Sequence, residues 1–313
     1  AGYADGTSTD AWFNGISGIA SDGSSLFVAD SNNYRVRKII AGSALPGAQG
    51  SEGGRTITVG PAKVSTVADI GATSGGSPVI AGGYLYVAVP GAIKKVSLAT
   101  GAVSVLTGSG TPSAANSCPD STNPNLVQFP DTPDLSTDGY YLYSVSSCRP
   151  NPSLNTYGVR RTSLATGATS LVGLIGTGAN YTTSVAVGGD GFVYVSQQDV
   201  YRVDPVSGAW TTFASTPGWR PGPLTADGQA LYMTEWSTSD NSIRIVKVTT
   251  PTAGDPGGTV TAVVTFPPTD VWKPYRIVST GKYLYTVGNA RPVPPACNCP
   301  TVYRFVKSSG SSS

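Results

Sequence analysis

The sequence predicts an all-β fold, a six-bladed β-propeller of four-stranded antiparallel blades, on three observations. The 313 residues include 39 Gly and 24 Pro, only 12% are charged and one is Met, a composition that favours turns and short strands over helices. A Gly-bearing turn followed by an alternating apolar strand with an aromatic at its centre returns six times. A second strand carrying Arg or Lys follows each of those six runs.

In chain order the runs are "DGSSLFV" at 22–28, "GGYLYV" at 82–87, "DGYYLYS" at 138–144, "GDGFVYV" at 189–195, "DGQALYM" at 227–233 and "TGKYLYT" at 280–286. Their central aromatics, Phe27, Tyr86, Tyr143, Tyr194, Tyr232 and Tyr285, recur at intervals of roughly 40 to 60 residues. The strands that follow are "YRVRKI", "IKKVS", "YGVRRTS", "VYRVD", "IRIVKV" and "VYRFVK". An apolar segment such as "ISGIAS" or "TSVAVG" precedes the turn, and a hairpin such as "SLATGAVSVLTG" closes the unit. With period-two alternation and a Thr-Gly or Ser-Gly turn before the last strand, each unit reads as four antiparallel strands, A to D. Four-stranded units at this spacing are the signature of a propeller, whereas stacked β-solenoids repeat at much shorter intervals and sandwiches do not repeat. Residues 1–313 therefore read as one domain, since a propeller buries its core between neighbouring blades and grows by repetition.

The sixth unit lacks a strand. "VYRFVK" ends at Lys307, and the Ser/Gly tail "SSGSSS" at 308–313 stands where other units turn into strand D. The expectation is an incomplete last blade in an excerpt of a longer chain, completed from before Ala1, from after Ser313 or by a neighbouring molecule.

Residues 1–39, "AGYADGTSTDAWFNGISGIASDGSSLFVADSNNYRVRKI", resemble the NHL repeat in its G-x-x-D-G start, its A-x-F-N and G-I-A-x-D segments, its L-[FY]-V-A-D-S-x-N core and its R-[VI]-R-K-I end. The later units keep the order of strands and lose the A-D-S-x-N element. The resemblance implies a six-bladed propeller and the roles such propellers house: protein-binding and RNA-binding modules, extracellular adhesion modules, and some lyases and lactonases. The enzymes of that set typically use histidines as metal ligands or acid-base groups, and this chain has no His. Without imidazole, the usual zinc or copper ligand and the usual base near neutral pH are missing, which leaves a carboxylate site fit for Ca²⁺.

Other catalytic arrangements find no support. A serine nucleophile would depend on Lys63, Lys94, Lys95 or a carboxylate, none in a G-x-S-x-G or S-x-x-K setting. "VDPVSGAW" at 203–210 faintly resembles the Asp-box of sialidases but lacks its S-x-D-x-G-x-x-W order, and it reads as a hairpin. Asp5, Asp10 and Asp190 lie in acidic turns that could hold Ca²⁺, but the spacing of an EF-hand or RTX loop is absent and Asx turns are the favoured reading. No catalytic residue, metal site or cofactor is assigned.

Charge argues in the same direction. Arg35, Arg37, Lys38, Lys94, Lys95, Arg160, Arg161, Arg202, Arg244, Lys247, Arg304 and Lys307 all fall on or at the end of strand C. Such a ring could hold RNA or an acidic glycan, yet a strand near the blade rim also needs long polar side chains. The 18 acidic residues leave a net charge of +2, which argues against nucleic acid. No run of about 18 apolar residues exists to cross a membrane.

The cysteines locate the compartment. In a propeller the D-to-A and B-to-C loops share one face. Cys118 (D-to-A) and Cys148 (B-to-C) belong to unit three, and Cys297 and Cys299 lie in the B-to-C loop of unit six. Units three and six stand opposite each other, so a bond between them would have to cross the channel to bring Cα atoms within about 7 Å. Cys118–Cys148 is the expected disulfide, with Cys297 and Cys299 forming a tight bridge or staying reduced. With the sequon at Asn180, these features point to a secreted or cell-surface glycoprotein.

The functional expectation is a non-catalytic interaction or structural module that binds a protein or glycan through the face bearing "GSGTPSAANSCPDSTNPNLVQF" and "GNARPVPPACNCP". Trp219, Arg220, Trp236, Trp272 and Arg291 are its candidate anchors, the plainer reading being tryptophans packed between blades. The alternatives are a His-free, Ca²⁺-dependent enzyme of the lyase, lactonase or glycosidase kind and an RNA-binding NHL module. Non-reducing mass spectrometry should find the Cys118–Cys148 link, and Cys148→Ser should cost about 2–4 kcal/mol of stability. Free alkylation of both thiols in native protein would remove the chief support for the extracellular reading.

Overall fold

The computed structural model describes residues 3–7, 10–41, 62–113, 119–130, 133–147, 156–176, 184–228, 230–266, 273–281, 283–289 and 300–307. It is all-β apart from short 3₁₀ turns, and no helix among the described residues is long and apolar enough to cross a membrane.

Six antiparallel sheets form the blades. Blade one contains β2 (Ile16–Ser21), β3 (Leu26–Asp30), β4 (Arg35–Ala41) and β5 (Ala62–Asp69), with a two-residue strand β1 (Gly6–Thr7) added outside β5. Blade two is β6 (Gly75–Ala81), β7 (Tyr84–Val89), β8 (Ala92–Ser97) and β9 (Val103–Thr107); blade three is β10 (Asp134–Thr137), β11 (Tyr141–Ser147), β12 (Thr156–Ser163) and β13 (Thr169–Gly176). Blade four is β14 (Ser184–Val187), β15 (Val193–Ser196), β16 (Val200–Val203) and β17 (Trp210–Ala214); blade five is β18 (Trp219–Asp227), β19 (Ala230–Ser237), β20 (Ile243–Thr249) and β21 (Val260–Phe266). Among the described residues blade six has three strands, β22 (Lys273–Thr280), β23 (Tyr283–Asn289) and β24 (Pro300–Val306). The first strand of each blade touches the first strand of the next, and β22 returns to β2, closing a ring around a channel.

Alternation in these strands separates one neighbouring blade from the other. Phe27 packs forward on Leu85 and Val87 of blade two, while the next residue, Val28, packs backward on Val287 of blade six. Leu85 and Val87 face blade one, and Tyr86 between them packs with Leu135 and Leu142 of blade three. Both faces of strand B are therefore buried, which explains its continuous apolar runs. Six apolar clusters, one per blade interface, result.

Strand D carries a bulge in all five four-stranded blades. The register skips Val67, Leu106, Val172, Phe213 and Val263. At the first four, the freed carbonyl meets the C-to-D turn of the following blade at Gly101, Gly167, Gly208 and Gly258. Each of these glycines has φ between +72° and +83°, and a Cβ there would collide with that carbonyl. The Thr-Gly and Ser-Gly turns thus serve the seam between blades as well as the hairpin.

Eight of the strand C cations fall into two sets. Lys38, Lys95, Arg161, Arg202, Lys247 and Arg304 each stand in register opposite the central aromatic of strand B. Lys95, Arg161, Arg202 and Arg304 cap the aromatic two residues earlier, at 3.9 Å over Tyr84, 4.9 Å over Tyr141, 3.3 Å over Phe192 and 4.5 Å over Tyr283.

Arg37 and Arg160 form the second set, with side chains fully buried. The Arg37 guanidinium donates to the carbonyls of Trp12 (3.0 Å) and Ala4 (2.6 Å) and to the carboxylates of Asp30 (3.0 Å) and Asp5 (2.8 Å), with the Phe13 ring 5.0 Å away. Arg160 repeats this on the Gln128 and Pro119 carbonyls, the Asp120 carboxylate and the Phe129 ring. Both arginines follow the bulge, and both fasten the entering D-to-A segment across their own blade. Burial pushes the Asp5 carboxyl up, but hydrogen bonds from Thr66 and the charge of Arg37 outweigh it and hold Asp5 below the usual carboxylate range. In blade two the equivalent Lys94 donates to the Ile70 carbonyl at 2.6 Å.

Arg37→Ala strands the buried Asp30 carboxylate and should cost about 3–5 kcal/mol in urea unfolding. Arg37→Lys should recover little, because one ammonium cannot span acceptors in two segments. Full recovery by lysine would show that charge alone matters.

Candidate functional site

Two regions bring chemistry-bearing side chains together, the channel and the face of the D-to-A and B-to-C loops. The channel is narrow because strands β2, β6 and β10 meet at Gly18 and Gly76, where a Cβ would strike the neighbouring backbone. A belt of short polar side chains ties the inner strands together. Ser136 Oγ accepts from Val187 N–H (2.9 Å), Ser184 Oγ from Leu224 N–H (3.1 Å) and Thr225 Oγ1 from Ser279 N–H (3.3 Å).

Asp134 is the hub of this belt, with its side chain 2% exposed. Its carboxylate accepts from Ser77 N–H of blade two and from the Ser184 hydroxyl and Val185 N–H of blade four. Across the channel, Arg276 of blade six places Nε 4.0 Å from it. Toward the A-to-B turns the channel opens into a cavity of about 210 Å³ lined by all six inner strands, with Asp134, Ser77, Ser136 and Thr225 among aliphatic side chains.

The loop face of blade five holds three predicted anchors. Trp219 and Arg220 begin β18, and Arg220 is the cross-strand partner of Trp236 on β19. Arg220 is exposed and both tryptophans are partly exposed. A network beneath them fixes the strands. Buried Glu235 accepts from Thr216 Oγ1 and Arg244 Nε, each at 2.6 Å, and the Arg244 guanidinium lies 4.0 Å from the Trp219 ring. The Trp236 ring lies against Gly222, where no side chain would fit. In the adjoining turn, hydrogen bonding with the Ser237 and Ser242 side chains and the Ser242 amide holds the exposed Asp240 carboxyl at about 2.

Trp272, Arg291, Cys118, Cys148, Cys297, Cys299 and Asn180 lie outside the described residues. Of the acidic turn residues, Asp5 bonds Arg37 and Thr66, and Asp190 bonds the Tyr194 hydroxyl (2.8 Å) and Arg202 (3.0 Å). Among the described residues, no three His, Cys, Asp or Glu side chains gather as a metal site. Sequence reasoning missed Asp134, Arg276 and Glu235. The available signal was a charge within an inner strand, "DLST", where units one and four read "ISGIAS" and "SVAV".

No family model matches the chain, and no curated protein matches its sequence. Solved structures do match in fold. A luciferin-regenerating enzyme aligns at TM-score 0.59 and 11% identity over 98% of this chain and 96% of that one. A gluconolactonase from Xanthomonas campestris aligns at 0.55 and 14% over 94% and 87%. A chain of the nidogen–laminin complex aligns at 0.54 and 14% over 87% and 89%. At these identities the likeness establishes the propeller and leaves the NHL resemblance of residues 1–39 without a matching family. The fold is shared by enzymes and by binding proteins alike.

Asp134→Ala should lower stability by about 3 kcal/mol or more, since it leaves buried donors from two blades unpaired and Arg276 without its facing charge. Arg220→Ala, at an exposed strand end, should cost no more than about 1 kcal/mol. Urea unfolding followed by circular dichroism separates the two.

Proposed function

We propose that this propeller is a non-catalytic interaction module, secreted or displayed at a cell surface, that binds a protein or glycan partner through the D-to-A and B-to-C loop face of blade five. The observation that carries this reading is the pairing of Arg220 with Trp236 beside Trp219, on strands pinned from below by Thr216, Glu235 and Arg244. Partly exposed tryptophans and an arginine on a rigid support lose little side-chain freedom on binding, which is the character of an interface anchor.

The enzyme alternative would centre on the channel carboxylate. Asp134 is buried and already accepts three hydrogen bonds, a setting suited to joining blades. The cation stacks on Tyr84, Tyr141, Phe192 and Tyr283 also favour a structural role for strand C over a phosphate track. The extracellular placement rests on the cysteines and the Asn180 sequon.

Arrays of immobilised glycans and of cell-surface proteins should yield a partner whose affinity falls at least about tenfold, or 1.4 kcal/mol, in Arg220→Ala and in Trp236→Ala. Unchanged affinity in both folded variants would reject this face. Turnover of lactone, ester or glycoside substrates that disappears on Ca²⁺ chelation would favour the enzyme.

A further inference from the structure

Asn14 and Gly15 form the only Asn-Gly pair in the sequence. They lie where the segment entering blade one crosses the turn Ser31–Asn33 between β3 and β4. Four hydrogen bonds clasp this crossing. Asn14 N–H donates to the Asp30 carboxylate (2.7 Å), the Asn14 carbonyl accepts from Asn32 N–H (3.1 Å), the Gly15 carbonyl accepts from Ser31 N–H (3.0 Å), and Asn14 Oδ1 accepts from Asn32 Nδ2 (3.3 Å). Asp30 is in turn held by the buried Arg37 guanidinium. Gly15 is exposed at φ +70°, and a Cβ there would stand 2.5 Å from Asn32 Nδ2, so the crossing favours glycine.

We propose that Asn14 is a modification site, where the folded protein deamidates without an enzyme and gives aspartate and isoaspartate. The Gly15 nitrogen bonds to Asn14 Cγ, the Cγ–Nδ2 bond breaks, and the Gly15 amide proton leaves with that nitrogen as ammonia. The five-membered imide then takes up one water. Opening at Cγ gives aspartate, and opening at the main-chain carbonyl gives isoaspartate, whose backbone runs through Cβ and Cγ. Solvent water is the one co-reactant, and nothing is oxidised or reduced. The site favours ring closure in three ways. Glycine puts no Cβ in the path of the attacking nitrogen, and its exposure lets base reach the N–H. The Asn32 amide, by donating to Oδ1, draws electrons from Cγ and stabilises the charge that gathers on Oδ1 as the ring closes.

The five Asp-Gly pairs, at 5–6, 22–23, 138–139, 190–191 and 227–228, are held against the same reaction. A carboxylate would have to expel an oxygen in place of ammonia, a far poorer leaving group. Each of these carboxylates is already an acceptor, from Thr66 and Arg37 at Asp5, from amides of its own turn at Asp22, Asp138 and Asp190, and from Lys307 at Asp227. Burial pushes the Asp22 carboxyl up, but hydrogen bonds from Ser25 and Ser24 outweigh it and hold it below the usual carboxylate range. Conversion at residue 14 lowers the formal net charge of +2 by one and brings a second carboxylate near Asp30. In the isoaspartyl form it also adds a backbone methylene inside the clasp. Blade one carries this site and blade five the proposed interface, so the two stand or fall separately.

The test incubates the folded 313-residue chain and the free peptide "AWFNGIS" side by side in warm neutral buffer. Both are followed by peptide mapping with mass spectrometry and by enzymatic methylation of isoaspartate. Residue 14 should gain about 1 Da and carry isoaspartate. Its half-time in the folded chain should be at most about tenfold longer than in the peptide, whereas a reaction that needed global unfolding would be slowed roughly a thousandfold or more. Asn14→Gln should abolish both signals, since its ring would need six members. Asn32→Ala, in protein that folds by circular dichroism, should slow the reaction at least about threefold. Three results would overturn the proposal: a half-time in the folded chain beyond the stated bound, isoaspartate at an Asp-Gly pair before residue 14, or an Asn32→Ala rate as fast as that of the parent chain.

Discussion

Each blade has two apolar faces and can hide neither by itself, and the rest of the structure follows from that constraint. Phe27 and Val28 are adjacent in the chain and buried against different blades. The only arrangement that covers every such face without leaving a first and last sheet is a closed ring. The bulge in strand D and the positive-φ glycine in the next turn solve the same problem at the rim, where a freed carbonyl and a missing Cβ let neighbouring blades approach. The seam is thus made twice, by apolar packing inside and backbone contact outside.

Charge is used sparingly and mostly to fasten segments. Arg37 and Arg160 hold the entering chain of blades one and three against their own strands, each with two carbonyls, a carboxylate and a phenylalanine ring. A guanidinium suits this role because its planar fork presents several donors at fixed angles. The equivalent positions in blades four and five are Tyr201 and Val246, and those blades rely on packing there. Asp134 does similar work at the centre, joining blades two, three and four by hydrogen bonds and facing Arg276 of blade six. These groups stiffen the ring, so surface side chains at strand ends, such as those of blade five, are presented on a fixed base.

The fold was legible in the sequence because it repeats. Six turns, six central aromatics and six cation-bearing strands set the number of blades. Of the candidate anchors, Trp219, Arg220 and Trp236 stand at one end of blade five, where Arg220 and Trp236 are cross-strand partners and Trp236 packs against the interface with blade six. Asp134, Arg276 and Glu235 were not legible, because their partners come from other blades or from distant turns that no local pattern connects.

By itself, then, the sequence determined the architecture of this protein: period-two alternation, turn glycines and the spacing of the aromatics are local properties that each unit carries whole. Tertiary structure alone decided which strand C cations are buried and which stack on rings, since Arg37 and Lys38 are neighbours of the same charge. Their fates differ because successive side chains of a strand point to opposite sides, and one side meets a loop rich in acceptors while the other meets an aromatic. It also decided that the channel carboxylate joins blades, because its environment is set by strands about 50 residues apart on either side and by an arginine that arrives from the opposite blade.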